Sequence, residues 1–113
     1  MLGNHYQAAR WLEHLRNRKR KPVAAGTIED WERSLKNWIN PHIGDCPVSD
    51  VNNAVLKRLV AKMSKAGLSP KTIENYIQVP KMVVASVTDG DGNQVYPRRW
   101  NHEFIDMPIV EVS

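Results

Sequence analysis

Gly67-Leu68-Ser69-Pro70-Lys71-Thr72-Ile73-Glu74-Asn75-Tyr76-Ile77 decides the reading of the fold, because one helix stops and another starts within three residues. Gly67 suits a left-handed C-terminal cap, Ser69 can accept from the exposed amides of the next helix, and Pro70 fits its first position. The sequence therefore predicts a sharp helix junction. The first turns of the new helix carry Lys71, Thr72 and Asn75, side chains suited to a phosphate or a base edge.

Working outward, three further helices follow from periodicity. Upstream, Asp50 or Asn52 can open a helix whose buried stripe is Val55, Leu56, Leu59, Val60 and Met63, with Lys57, Arg58, Lys62 and Lys65 on the other side. Before it, Thr27 can cap a helix in which Ile28, Trp31, Leu35, Trp38 and Ile39 share a sector of about 100°. Glu29, Arg33, Lys36 and Asn40 fall opposite, on a side that is wet or bound to something, and Pro41 should end this helix before a turn at Gly44. The first helix, roughly residues 5–18, places Ala8, Trp11, Leu12 and Leu15 together. It runs into Arg16, Arg18, Lys19, Arg20 and Lys21, a basic tract that leads through Pro22 and Gly26 as a linker.

Downstream of the junction, the helix from Ser69 to about Val87 turns Ile73, Tyr76, Ile77, Val83 and Val84 inward. Lys71, Asn75 and Gln78 cluster outward as a candidate reading face. Pro80 removes one amide and pushes on the carbonyl of Tyr76, so a kink or break is expected there. After Val87 the composition changes. Asp89-Gly90-Asp91-Gly92-Asn93 is a tight turn, Gln94-Val95-Tyr96-Pro97 is short and extended, and Trp100, Phe104, Ile105 and Met107 can dock on the helices. The end at Ile109-Val110-Glu111-Val112 has extended character and no capping signal, which suggests a piece cut at a domain boundary. The expected organisation is a helical domain over residues 1–88 and a connector strap over residues 89–113.

Composition narrows the function classes. The chain of 113 residues can bury one sizeable core and little more. Its net charge of +4 is unevenly spread: residues 1–81 hold fourteen Lys or Arg against seven acids, and residues 82–113 hold two against five. The basic part is the helical part, which favours a polyanion partner. Cys46 is the only cysteine, so no intramolecular disulfide or cysteine zinc cluster can form, and a reducing, cytoplasmic setting fits. There is no apolar run of membrane-spanning length and no signal-peptide core. The Asp89 to Asn93 turn departs from a calcium loop, with Gln94 at the sixth position and Trp100 at the twelfth. His5, His14, His42 and His102 lack ligand spacing, so neither a metal nor a cofactor is expected.

The succession Thr27-Ile28-x-x-Trp31-x-x-x-Leu35, then Ile39-x-Pro41-x-Ile43-Gly44, Pro47-Val48 and Gly67-Leu68-Ser69-x-x-Thr72-Ile73 resembles the core-binding domain of tyrosine recombinases, the phage integrases. Gly92-Asn93-x-Val95-Tyr96-Pro97-Arg98-Arg99-Trp100-Asn101, followed by Phe104-Ile105-Asp106-x-Pro108, is similar to the connector leading out of that domain. The resemblance implies an all-α, SAM-like orthogonal four-helix bundle with a short irregular or hairpin C-terminal strap. It also implies one arm of a clamp on double-stranded DNA. In that family the second and fourth helices present their N-terminal ends to the major groove, which here are Thr27, then Ser69, Lys71, Thr72 and Asn75. Lys21, Arg33 and Gln78 complete the candidate DNA-binding set from the basic tract and the outward faces.

The family's chemistry lies in a separate downstream domain that uses a tyrosine nucleophile, arginines and a histidine region. Tyr6, Tyr76 and Tyr96 have no His-x-x-Arg companion here, so the expectation is a non-catalytic segment. Its partners would be DNA, the catalytic domain of the same parent chain and other recombinase protomers, with no membrane, in a bacterial or phage-encoded, nucleoid-associated setting. Two other classes fit the residues alone: a helix-turn-helix regulator built on residues 53–77, and a SAM-like protein-interaction module.

Overall fold

A computed structural model describes residues 3–19 and 22–108, and the elements it contains are helical. They are α1 (Asn4–Arg16), α2 (Ala25–Ser34), α3 (Asn40–Ile43), α4 (Asn53–Lys65), α5 (Pro70–Ala85) and α6 (His102–Ile105), with a short 3-10 turn at Val48–Asp50. Among the described residues there is no strand, only isolated antiparallel bridges between Gly3 and Pro47 and between Thr88 and Gln94. The all-α class expected from the periodicity is the one observed.

Each long helix buries the stripe its sequence encodes. Ala8, Trp11, Leu12 and Leu15 of α1 meet Ile28 and Leu35 from the α2 side, and Trp11 and Trp31 stack at a tilt with ring centroids 5.5 Å apart. Val55, Leu56, Leu59, Val60 and Met63 of α4 are buried together with Ile73, Ile77, Val83 and Val84 of α5. Trp31, Trp38 and Tyr76 are half-buried at the rim of this core.

Four details differ from the sequence reading, each for a local reason. The second helix starts at Ala25 with Ala24 as its cap residue, so Gly26 and Thr27 lie inside the first turn and the Thr27 hydroxyl caps nothing. Pro41 does not end that helix. Residues Leu35–Ile39 widen into a π-helical turn, in which the amide of Asn40 donates to the carbonyl of Leu35, and α3 then begins with Pro41 in its first turn. A proline costs a helix its amide bond and crowds the carbonyl four residues back, and one wide turn relieves both. Pro80 likewise leaves α5 unbroken, because it is buried in a run where Ile77, Val79, Val83 and Val84 are all pinned by the core. Finally, the strap is neither purely irregular nor only a hairpin, since it contains α6.

The strap is attached at many points. Asp89 Oδ1 accepts from the amides of Asp91 and Asn93 at 2.9 and 3.0 Å, and Gly92 takes the left-handed conformation (φ 85°) that closes the turn. Further on, the Arg98 guanidinium donates to the carbonyls of Ser49 and Val51, and the Asn101 amide donates to Asn53 Oδ1. Lys57 Nζ reaches the Phe104 carbonyl at 3.0 Å and lies 4.9 Å from the Phe104 ring centre. Ile105 is fully buried. The expected cut end at Ile109 to Val112 falls outside the described residues.

Two outcomes test this description. Ile105→Ala should lower the unfolding free energy by about 2–5 kcal/mol in a urea titration, because a fully buried isoleucine leaves a cavity and α6 loses its only deeply buried anchor. The amides around Asp89 hold its carboxyl below the usual carboxylate range. A depressed folded-state value means the stabilisation is present above the unfolded-state value and is lost as pH falls through the folded one. Thermal melts at about pH 6 and about pH 3 should accordingly show a smaller acid-induced drop for Asp89→Asn than for the parent chain.

Candidate nucleic-acid interface

The junction after α4 satisfies its backbone groups almost entirely from within. Gly67 adopts φ 88°, its amide donates to Ser64 O at 3.0 Å, and the amide of Leu68 donates to Met63 O at 3.2 Å. This is the paired bonding of a Schellman cap, and the left-handed φ is why glycine stands there. Two residues later Ser69 Oγ accepts from the Thr72 amide at 3.2 Å and donates to Thr72 Oγ1 at 2.9 Å. Pro70 has no amide and that of Ile73 is bonded to Ser69 O. Among Lys71, Thr72 and Ile73 at the start of α5, only the amide of Lys71 therefore keeps no acceptor among the described residues. The helix end itself is thus largely capped, and what it presents to solvent are the side chains beyond it.

Those side chains share one groove. An open cleft of about 550 Å³ between α2 and α5 is lined by Ser69, Lys71, Thr72, Asn75 and Gln78, with Asp30 across from them. Lys71, Asn75 and Gln78 are exposed at helical spacing along α5, while Thr72 is half-buried and committed to Ser69. Tyr76 and Glu74 also line the cleft, and neither belonged to the expected set. Glu74 follows Lys71 by three residues and precedes Gln78 by four, so helical spacing puts it on their side of α5 too.

The remaining candidates are dispersed. Arg33 reaches the cleft only through Asp30, to which it is ion-paired at 3.2 Å. Thr27 is half-buried within the first turn of α2 and does not line the cleft. Lys21 lies outside the described residues. Of the basic tract, Arg16 is drawn onto Glu32 and Glu13, which leaves Arg18 and Lys19 exposed.

The electrostatics of the cleft are mixed. Lys71 and the Arg33–Asp30 pair sit beside the Glu74 carboxylate, so the cleft carries little net positive charge. It is furnished for reading hydrogen-bond donors and acceptors: carboxamides such as Asn75 and Gln78 can donate and accept at once, as the edge of adenine requires. Outside it, Arg10, Lys36, Arg58 and Lys65 are exposed and unpaired with any carboxylate among the described residues. Among the described residues no group of three metal-ligating side chains converges, and no helix is long and apolar enough to cross a membrane.

The chain is thus an all-helical domain with an open polar cleft between α2 and α5. The sequence matches the phage integrase central domain over residues 6–87, the span from α1 to just past α5, and the chain belongs to that family, a domain of tyrosine recombinases. No curated protein and no solved structure matches it.

Ser69→Ala should cost about 1 kcal/mol in urea-induced unfolding, the ordinary loss for an N-cap hydroxyl, because Thr72 would lose its acceptor. A loss indistinguishable from zero would mean that the cap does not hold the start of α5.

Proposed function

We propose that this chain is a DNA-binding arm of a phage-type integrase, which clamps the recombination-site duplex with the outer face of α5 and the part of α2 that faces it at Asp30. The observation that carries this reading is the single cleft that gathers Ser69, Lys71, Thr72, Asn75 and Gln78. Membership of the integrase central-domain family supports it, as does the concentration of positive charge in the helical part. In this reading Lys71 meets a phosphate, Asn75 and Gln78 meet base edges, and further cations, with Lys21 of the basic tract among them, add sequence-independent affinity. The arm does no bond-breaking itself. Its working partners are the duplex, the catalytic domain of the parent protein and the other recombinase protomers on the same DNA.

The acids in the cleft suit this division of labour. Glu74 and Asp30 weaken non-specific attraction at the reading face, and a carboxylate can also accept from the amino group of cytosine. Affinity then comes mainly from the surrounding cations and selectivity from the cleft.

Fluorescence anisotropy of a labelled mixed-sequence duplex tests the reading. The chain should bind at low salt and weaken linearly in log–log form as salt rises. Lys71→Ala should lose affinity by on the order of 1 kcal/mol and reduce the salt slope by about one unit. Lys57→Ala, whose ammonium is committed to the Phe104 carbonyl, should change affinity by much less. Equal losses for the two variants would remove the cleft from the interface, and tight binding to a protein with indifference to DNA would point to an interaction module.

A further inference from the structure

The outer face of α5 has a second flank, turned toward the strap. Glu74 and Gln78 line not only the cleft against α2 but also a groove of about 340 Å³ on the other side, closed by Lys81, His102 and Met107. The reading face is thus continuous from Lys71 past Gln78 to Lys81. Where it ends, Lys81 Nζ lies 2.6 Å from His102 Nε2, the contact that ties α6 to α5.

Lys81 is unusual for a surface lysine. It is half-buried, it has no carboxylate within ion-pairing distance among the described residues, and its nearest polar partner is an imidazole. Burial pushes its ammonium below the ordinary lysine range, with Glu74 pulling the other way. A partly desolvated ammonium without a counter-ion is a site that an anion would complete. The charged groups around it leave room for one. Glu74 is the carboxylate in the groove, and Asp106 lines a different groove, between α4 and α6. Glu103 lines neither, and Lys57, the nearby cation of α4, is committed to the Phe104 carbonyl.

We propose that Lys81 and His102 together hold a backbone phosphate of the duplex lying along α5, and that His102 takes up a proton from solvent when they do. The proposal rests on the DNA-binding reading above and extends it into the strap. Without DNA, the neutral imidazole accepts from the Lys81 ammonium through Nε2. When a phosphodiester oxygen enters, it replaces the imidazole as acceptor for Lys81, and Nε2, once protonated, becomes a second donor to it. The two nitrogens separate to admit the oxygen, so one Lys–His hydrogen bond is exchanged for two charge-assisted ones. Proton uptake on binding means that affinity must rise as pH falls through the histidine range.

The test is duplex affinity at fixed low ionic strength between about pH 8 and about pH 6. The parent chain should tighten by about threefold or more across that range, with a ceiling of tenfold per pH unit for one linked proton. His102→Gln, which keeps an acceptor for Lys81, should flatten the His102-dependent part of the profile, so that its affinity falls furthest below the parent's at the acid end. Lys81→Gln should weaken binding throughout. His14→Gln should behave as the parent does, since His14 lines a separate groove between α1 and the end of α5. Thermal melts of each variant establish that it is folded. If His102→Gln keeps the parent's pH profile, the phosphate site is wrong while the DNA-binding reading stands. If the parent binds no duplex at any pH, the DNA-binding reading itself falls and this site falls with it.

Discussion

The left-handed turn at Gly67 is the constraint on which the rest depends. Because Leu68 and Gly67 return their amides to the last carbonyls of α4, the chain leaves that helix without stranding polar groups, and Ser69 opens α5 at once. The short connection fixes the rotation of α5 about its own axis. That rotation sends Ile73, Ile77, Val83 and Val84 into the core and leaves Lys71, Asn75 and Gln78 outside. A junction one residue longer would turn the helix by about 100° and exchange part of the core stripe for the reading face. The same few residues therefore set both the core stripe and the face that α5 leaves exposed.

What was legible in the sequence was whatever local chemistry decides. Gly67, Ser69-Pro70 and Asn52 announce their caps, and the apolar stripes of α1, α4 and α5 are buried as their spacing requires. What was not legible depended on tertiary support. Pro41 and Pro80 are both helix-ending signals on local grounds, yet one is absorbed by a wide turn and the other by a core that grips its helix on either side. Thr27 is a good cap residue, but the preceding Ala25 and Gly26 go helical before it is reached. The helix α6 has only four residues, too few for a periodic signal, and it is held by Ile105 and by Lys57 from another helix.

The candidate site was legible to the same degree and for the same reason. Its members on α5 come from one helix face, so their spacing alone predicts that they share a cleft. The facing wall could not be read this way, because which part of α2 meets α5 is a packing outcome, and it brings Asp30 rather than Thr27 to the cleft. Arg33 then appears as the neutraliser of Asp30 instead of an independent contact. An exposed pair of this kind contributes little to stability. Its effect is to keep the rim of a polar cleft from being acidic.

The strap changes what should be counted as the domain's working surface. The family match ends at residue 87, yet the chain beyond it returns to the helices through Arg98, Asn101, Phe104 and Ile105 and forms the second wall beside α5. The polar anchors are on α4 and the turn before it, so the strap can stay in place while its one polar contact to α5 among the described residues opens. A segment that is acidic overall thereby presents a histidine, not a carboxylate, to the one half-buried lysine of the reading helix. With a carboxylate at that position Lys81 would be internally neutralised and the helix would lose a cation. With an imidazole there, the lysine keeps its charge and the contact remains exchangeable.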